Sequence, residues 1–267
     1  MPIFGVKSSF LELGILAVQK RELIIEEVHI TGTALMNELV DELNELKLST
    51  MAATLDELYH RPEFLEMDRL TLIAELIGPQ FQEKVSTTLK NRLTAARLNG
   101  SPEELAKCVD SDKREYLPTG VTEQLASLNF IERGYNLCIL GESDAGKSYL
   151  AKAIGIKACN RYNVGYFHSE ELLESLVALK EQDYDKYARR MKKYLRWDLI
   201  ILDDFLLHTI TDEREIKVLF ELLEKRNEQQ KSTIVCSQRN PENWKAMILN
   251  DEVSANSIMK RATKHYM

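Results

Sequence analysis

The sequence predicts an α/β protein in which helices sandwich a parallel sheet, with a small α-helical domain before the sheet. A glycine-rich loop, 141–148, lies between the apolar run 137–140 and a helical stretch that begins at Tyr149. A second apolar run, 199–202, ends in two aspartates, and continuously apolar strands are typical of parallel sheets buried on both faces. Between Met36 and about Leu98, apolar residues recur at spacings of three and four, which indicates helices.

Length and composition allow one or two domains with a sizeable core, since 44% of the 267 residues are hydrophobic. We divide the chain into an N-terminal extension, 1–35, a helical domain, 36–110, and an α/β domain, 111–267. Residues 1–35 lack a long periodicity, and an ordinary N-terminal strand or hairpin is an equal alternative there. The net charge of −7 excludes a protein coated in basic residues but leaves room for a local basic patch.

The chain lacks the signals of a membrane or secreted protein. No apolar run approaches the length of a membrane span, and no clear cleavage site follows the N-terminal apolar stretch. The four cysteines are scattered and form no C-x-x-C pair, which suits a reducing compartment and gives no metal site. We therefore expect a cytoplasmic protein without a membrane partner.

The glycine-rich loop matches G-x-x-x-x-G-K-[ST], the phosphate-binding P-loop. Its glycines let successive backbone N–H groups point at phosphate oxygens, next to a positive helix N-terminus. Lys147 would reach the β- and γ-phosphates, and the Ser148 hydroxyl would ligate Mg²⁺. Asp144 is unfavourable in an anion-binding loop unless it points outward or is paired. The predicted nucleotide contacts are Gly141, Glu142, Ser143, Asp144, Ala145, Gly146, Lys147, Ser148 and Tyr149.

Polar residues follow two further apolar runs. Asp203 ends the run 199–202, where it would hold Mg²⁺ directly or through water, and Asp204 would orient or deprotonate the attacking water. The run 232–238 ends in Ser237 and Gln238, either of which would touch the γ-phosphate or the water unless this is a plain strand end. These residues are the candidate catalytic groups and metal ligands.

The segment from 180 to 196 is the most basic of this acidic chain. It follows a predicted helix start in which Ser169 is the N-cap and Glu170 and Glu171 form an acidic first turn. A solvated helix face and a nucleic-acid contact are equally good explanations of the basic cluster. The candidate DNA-binding residues are Lys186, Arg189, Arg190, Lys192 and Lys193.

Residues 141–148, 198–205 and 232–238, together with Trp244, resemble the IstB-like ATP-binding proteins. These are transposition helpers encoded beside a transposase in insertion sequences, are similar to the DnaC helicase loader, and belong to the AAA+ ATPases. The likeness runs from Met36 to the end of the chain. It implies a P-loop ATPase that uses ATP and Mg²⁺ to assemble on duplex DNA and to stimulate a transposase.

The resemblance also implies that Arg261 is an arginine finger that acts on a neighbour's nucleotide. A head-to-tail contact of this kind repeats, so it gives a homo-oligomeric ring or filament. The chain ends sooner than family members usually do, so we expect the last core strand to be absent. A helicase loader, a small-molecule P-loop kinase and a nucleotide-binding scaffold with little hydrolysis are the alternatives; the consecutive aspartates 203–204 and the absence of an obvious lid segment argue against the kinase.

Overall fold

The computed structural model describes residues 32–111, 115–248 and 252–263. The chain divides into two compact units, Met1–Thr87 and Thr88–Met267. This division lies before position 110, the predicted end of the helical domain, because residues 89, 93, 96 and 98 pack with the sheet. Most of the predicted extension lies outside the described residues, although its last residues, from 32 onward, are helical.

The first unit is helical, as predicted. Helix α1 covers residues 32–45, α2 is Ser49–Tyr59, and α3 (Arg69–Ala95) begins in this unit and ends in the next. Leu55 and Leu58, three positions apart, are buried on one face of α2. Polar contacts between α2 and α3 join the Thr50 hydroxyl to the Glu83 carboxylate, and the Met51 N–H to Gln80 Oε1 at 3.1 Å.

The second unit contains a four-stranded parallel sheet, formed by β1 (Leu137–Leu140), β2 (Val164–His168), β3 (Leu199–Asp203) and β4 (Ser232–Ser237). Across the sheet the strands lie in the order β1-β4-β3-β2. The predicted apolar runs 137–140, 199–202 and 232–238 lie in three of these strands, which confirms the predicted fold class. Because the strands are parallel, the residues that follow β1, β3 and β4 lie at one edge of the sheet.

Seven α-helices of this unit, counted among the described residues, connect and cover the strands. Two 3₁₀ turns, Leu105–Lys107 and Pro241–Met247, complete the regular structure. No helix in the described part of the chain is long and apolar enough to cross a membrane. The helices are α4 (Val121–Ala126), α5 (Asn129–Glu132), α6 (Lys147–Ala158), α7 (Ser169–Gln182), α8 (Tyr184–Arg196), α9 (Glu213–Glu228) and α10 (Glu252–Ala262).

The helices form two layers, one on each face of the sheet. One hydrophobic cluster joins α4, α5 and α6 to the sheet, and the other joins α7, α8, α9 and α10 to it. Gly165 of β2 marks a close approach within the second layer, since a Cβ atom there would lie 2.3 Å from Cζ3 of the Trp197 indole. The ring therefore lies directly on the β2 backbone.

The predicted N-cap at Ser169 is wrong. Helix α7 begins at Ser169 itself, after an extended His168, and no side chain caps it. The Ser169 hydroxyl instead donates a hydrogen bond to the Asp203 carbonyl at 2.8 Å. Sequence pattern finds the acidic first turn but not this bond, because the strand that supplies the carbonyl is distant in the chain.

Candidate nucleotide-binding site

The glycine-rich loop joins the end of β1 to the start of α6. Gly146, the N-cap of α6, has a φ of 89°, and no side chain caps the helix. The first N–H groups of α6 therefore lack a side-chain acceptor and are suited to a phosphate. Asp144 also has a left-handed φ, 59°, which aspartate tolerates, and it is exposed, so water screens its charge.

Lys147, at the first position of α6, stays close to the loop. Its ammonium Nζ donates to the backbone carbonyl of Glu142 at 2.7 Å. The neighbouring Ser148 is half-buried, and the Tyr149 hydroxyl accepts a hydrogen bond from the Glu104 N–H at 3.2 Å. The positively charged ammonium group of Lys147 is thus held beside the loop, where we expect the phosphates to bind.

A cavity of about 540 Å³ opens beside the loop. Opposite the loop, the segment before α4 and α4 itself supply an apolar wall that includes Leu117, Pro118, Val121 and Leu125, and Glu115 lies beside it. An apolar wall next to a polar loop fits a ligand with a flat ring at one end and phosphates at the other. No sequence motif marks this wall.

Asp203 ends β3 and is 1% exposed. Tyr166 of the neighbouring strand donates its hydroxyl to Asp203 Oδ2 at 2.5 Å, and the Asp204 N–H donates to Oδ1 at 3.0 Å. Burial, followed by this hydrogen bond to Asp203, raises the pKa of Tyr166, so the hydroxyl remains a donor. The carboxylate is therefore fixed in orientation.

Asp204 is more accessible than Asp203, with 42% of its side chain exposed. Its Oδ2 lies 3.2 Å from Nδ1 of His168, the last residue of β2. Tyr166 and His168 are two positions apart, so both lie on the same side of the strand. No sequence motif marks either residue. Their spacing is a signal only once β2 is known to pair with β3.

Ser237 ends β4 and is 1% exposed. Its hydroxyl donates to the Phe205 carbonyl at 2.9 Å and accepts from Trp244 Nε1 and the Arg239 N–H, each at 3.2 Å. These bonds tie the end of β4 to the turn after Asp204. Gln238, the next residue, is exposed. The catalytic roles of Ser237 and Gln238 stay predictions.

The thiol of Cys236 is buried in β4, the strand between β1, which leads into the loop, and β3, which ends in Asp203. Burial is the main cause that raises its pKa, and the negative charge of Asp203 adds to it. The positive charge of Lys147 acts on the same thiol in the opposite direction. The loop lysine and the buried aspartate are thus within electrostatic range of one side chain.

The oxygen donors at this edge suit magnesium. Ser148 offers a hydroxyl and Asp203 a carboxylate, both of which are ligands that Mg²⁺ accepts. Among the residues that the structure describes, no group of three or more His, Cys, Asp or Glu side chains is arranged to hold a metal ion by itself.

Arg261 lies away from the nucleotide-binding loop of the same chain. Its guanidinium forms an ion pair with Glu224 and lies 4.5 Å from the ring centre of Phe220. Its carbonyl accepts a hydrogen bond of 2.8 Å from Nδ2 of Asn136, the residue just before β1. Arg261 therefore lies at the amino edge of the sheet, whereas the loop lies at the carboxyl edge.

Helix α8 presents the predicted basic cluster. Tyr187, Met191 and Tyr194 form its buried face, and the cationic side chains lie on the exposed side. Lys186 forms an ion pair of 3.1 Å with Asp183. Of the other candidates, Arg189, Arg190, Lys192 and Lys193 make no ion pair with any residue in the described ranges.

The chain resembles known proteins in sequence and in structure. The model of the IstB-like ATP binding protein family matches residues 41–267. The chain is 27% identical over 232 residues to the ATP-binding protein of insertion sequence IS232 from Bacillus thuringiensis subsp. berliner, with 85% of this chain and 89% of that one covered. It is 31% identical over 222 residues to an insertion sequence ATP-binding protein of Sinorhizobium fredii (strain NBRC 101917 / NGR234), with 82% and 86% covered. Among solved structures it is similar to the DnaC helicase loader, at 17% identity, a TM-score of 0.43, and coverage of 61% of this chain and 88% of that one. On the sequence matches, the chain belongs to the family of IstB-like ATP-binding proteins.

Proposed function

We propose that the protein is an ATPase that assembles on duplex DNA and assists a transposase. One observation supports ATP hydrolysis above all. Lys147 of the loop, the buried Asp203 and the accessible Asp204 lie at the same edge of the sheet. The insertion-sequence relatives support the connection with transposition.

Each residue at the edge has a chemical task. Lys147 and the first N–H groups of α6 bind the phosphates. Ser148 and Asp203 would hold Mg²⁺, which would neutralise charge at the phosphates. Asp204, with water access and a histidine neighbour at 3.2 Å, orients or deprotonates the attacking water. Tyr166 keeps Asp203 in a single orientation.

We expect Asp204→Asn to bind ATP with near-parental affinity and to hydrolyse it about 100-fold more slowly or worse, because the amide keeps the shape and removes the base. Binding of a fluorescent ATP analogue and release of inorganic phosphate measure the two properties. Asp56→Asn, at an exposed carboxylate of α2, is the matched control. Turnover at the parental rate would move the water-activating role to Asp203 or Ser237.

We expect reversal of Arg189, Arg190 and Lys193 to Glu to weaken duplex binding for all sequences and to flatten its dependence on salt, since each lost phosphate contact lowers the slope by about one. A salt titration of a labelled duplex measures both effects. The control is reversal of three exposed lysines elsewhere, which makes the same change in net charge. Unchanged binding across the titration would leave the cluster as a solvated face. The control lysines are Lys107, Lys157 and Lys217.

The assembly and the partner are tested directly. ATP hydrolysis is expected to rise on addition of duplex DNA, together with a larger assembly in sizing experiments. A pull-down that offers a transposase and a replicative helicase separates the two kinds of partner. Retention of the helicase alone would replace the transposition helper by a helicase loader.

A further inference from the structure

A second cavity, of about 430 Å³, lies at the C-terminal end of α8. Asn163 precedes β2 and Trp197 precedes β3, so this cavity is at the amino edge of the sheet, away from the nucleotide loop. No carboxylate is among its lining residues. They are Asn163, Arg189, Lys192, Lys193, Arg196 and Trp197.

The four cations of this cavity form one stripe on α8. Their spacing is i, i+3, i+4 and i+7, which places them on one face over about 10 Å of helix. None of them makes an ion pair with a described residue; Lys193 Nζ lies 5.3 Å from the ring centre of Trp197. Four like charges on one face repel one another, and an anion bound along the stripe relieves that repulsion.

Arg226 of α9 lies beneath the same helix end and is fully buried. Its Nη1 donates to the carbonyls of Tyr194 and Trp197, at 2.8 and 3.0 Å. A helix C-terminus carries a partial negative charge that repels anions. The guanidinium neutralises this charge at the end of α8, directly behind the stripe.

No carboxylate of the described residues forms a hydrogen bond with Arg226, although the negative charge of the nearby Asp198 acts on it. Its other described hydrogen-bond acceptors are the Ser232 carbonyl and the Thr233 hydroxyl. The Asp198 carboxylate bonds Lys231 Nζ at 2.7 Å and the Asn163 N–H at 3.0 Å. Burial lowers the pKa of Arg226 to about 9, which leaves it charged at neutral pH. The field at this end of α8 is therefore positive at the surface and below it.

We propose that the stripe Arg189, Lys192, Lys193 and Arg196 binds consecutive phosphates of a nucleic-acid strand, and that Arg226 is the positioning residue that makes the carbonyl end of α8 receptive to them. The stripe, about 10 Å long, is long enough to contact neighbouring phosphates of one strand. The choice of DNA as the ligand rests on the proposed function, whereas the affinity for phosphate chains does not.

Lysine acylation followed by mass spectrometry tests the location. A short duplex is expected to protect Lys192 and Lys193 but not the exposed Lys217 of α9, and inorganic tripolyphosphate is expected to do the same at higher concentration. Duplex binding without protection of the two lysines would overturn the site and leave the proposed function standing. Protection by tripolyphosphate in a protein that binds no duplex would support the site and contradict the DNA-binding function.

Substitutions test the two roles separately. Arg196→Gln is expected to lower the salt slope of duplex binding by about one. Arg226→Met is expected to weaken binding about tenfold without a change in slope, because Arg226 touches no phosphate, whereas Arg226→Lys stays within about threefold of the parent. Thermal melting reports folding, and Arg226→Gln is the neutral variant if the methionine variant does not fold. Equal affinities in the lysine and neutral variants would overturn the positioning role.

Discussion

Lys147→Ala is expected to abolish measurable ATP binding. The ammonium sits over the loop, bonded to the Glu142 carbonyl at 2.7 Å, and the cavity beside it offers no other cation among its lining residues. Loss of one partner of such a charge pair costs roughly 2–5 kcal/mol, which is about 30-fold to several thousand-fold in affinity. Nucleotide phosphates would then face only the N–H groups of α6.

The matched control is Lys157→Ala, at an exposed lysine in the last turn of the same helix. It removes the same charge and the same side chain at a distance from the loop, so it is expected to bind ATP like the parent. Equilibrium titration with a fluorescent ATP analogue compares the three proteins. Parental affinity in Lys147→Ala would rule out the loop as the phosphate site.

Arg261→Ala is expected to lower ATP hydrolysis about 1,000-fold while ATP binding is retained. The transition state of phosphoryl transfer carries more charge than one lysine and Mg²⁺ neutralise, and an arginine supplied by a neighbour contributes effects of this size. Arg261 lies at the sheet edge opposite its own loop, so we expect it to act on the nucleotide of another subunit. Parental activity is accordingly expected to rise more steeply than linearly with protein concentration.

Mixing subunits tests action between neighbours. Arg261→Ala supplies an intact loop and Lys147→Ala supplies an intact arginine, so activity is expected to return when the two inactive proteins are combined. Lys260→Ala, at the exposed adjacent residue, is the control. Glu224→Gln, which frees the guanidinium of its ion pair, is expected to keep activity. Normal hydrolysis by Arg261→Ala at every concentration would make the arginine-finger assignment wrong.

The sequence predicts the sheet and the loop because their signals are local. The runs around Leu140, Leu202 and Cys236 are continuously apolar, and the glycine spacing with Lys147 is a motif in itself. Tyr166 and His168 were not predictable, because their contacts with the two aspartates depend on which strand pairs with β3.

Buried Arg226 escapes prediction for a related reason. In the sequence it is one more cation in the last turn of a helix, where exposed basic residues are common. Its burial depends on acceptors from two segments, the end of α8 (Tyr194 and Trp197) and the start of β4 (232–233), that the folded chain brings together around it. The apolar wall at Leu117 and Pro118 is likewise formed by tertiary packing.

The close contact between Gly165 and the Trp197 indole has a consequence for genetic screens. Any side chain at position 165 would collide with a rigid ring, since even a Cβ atom would lie 2.3 Å from it. The strand must then shift, and with it Tyr166, the next residue, which orients Asp203. A saturation screen for loss of function would thus score Gly165 as intolerant of every replacement, although it touches neither the proposed phosphate stripe nor the nucleotide.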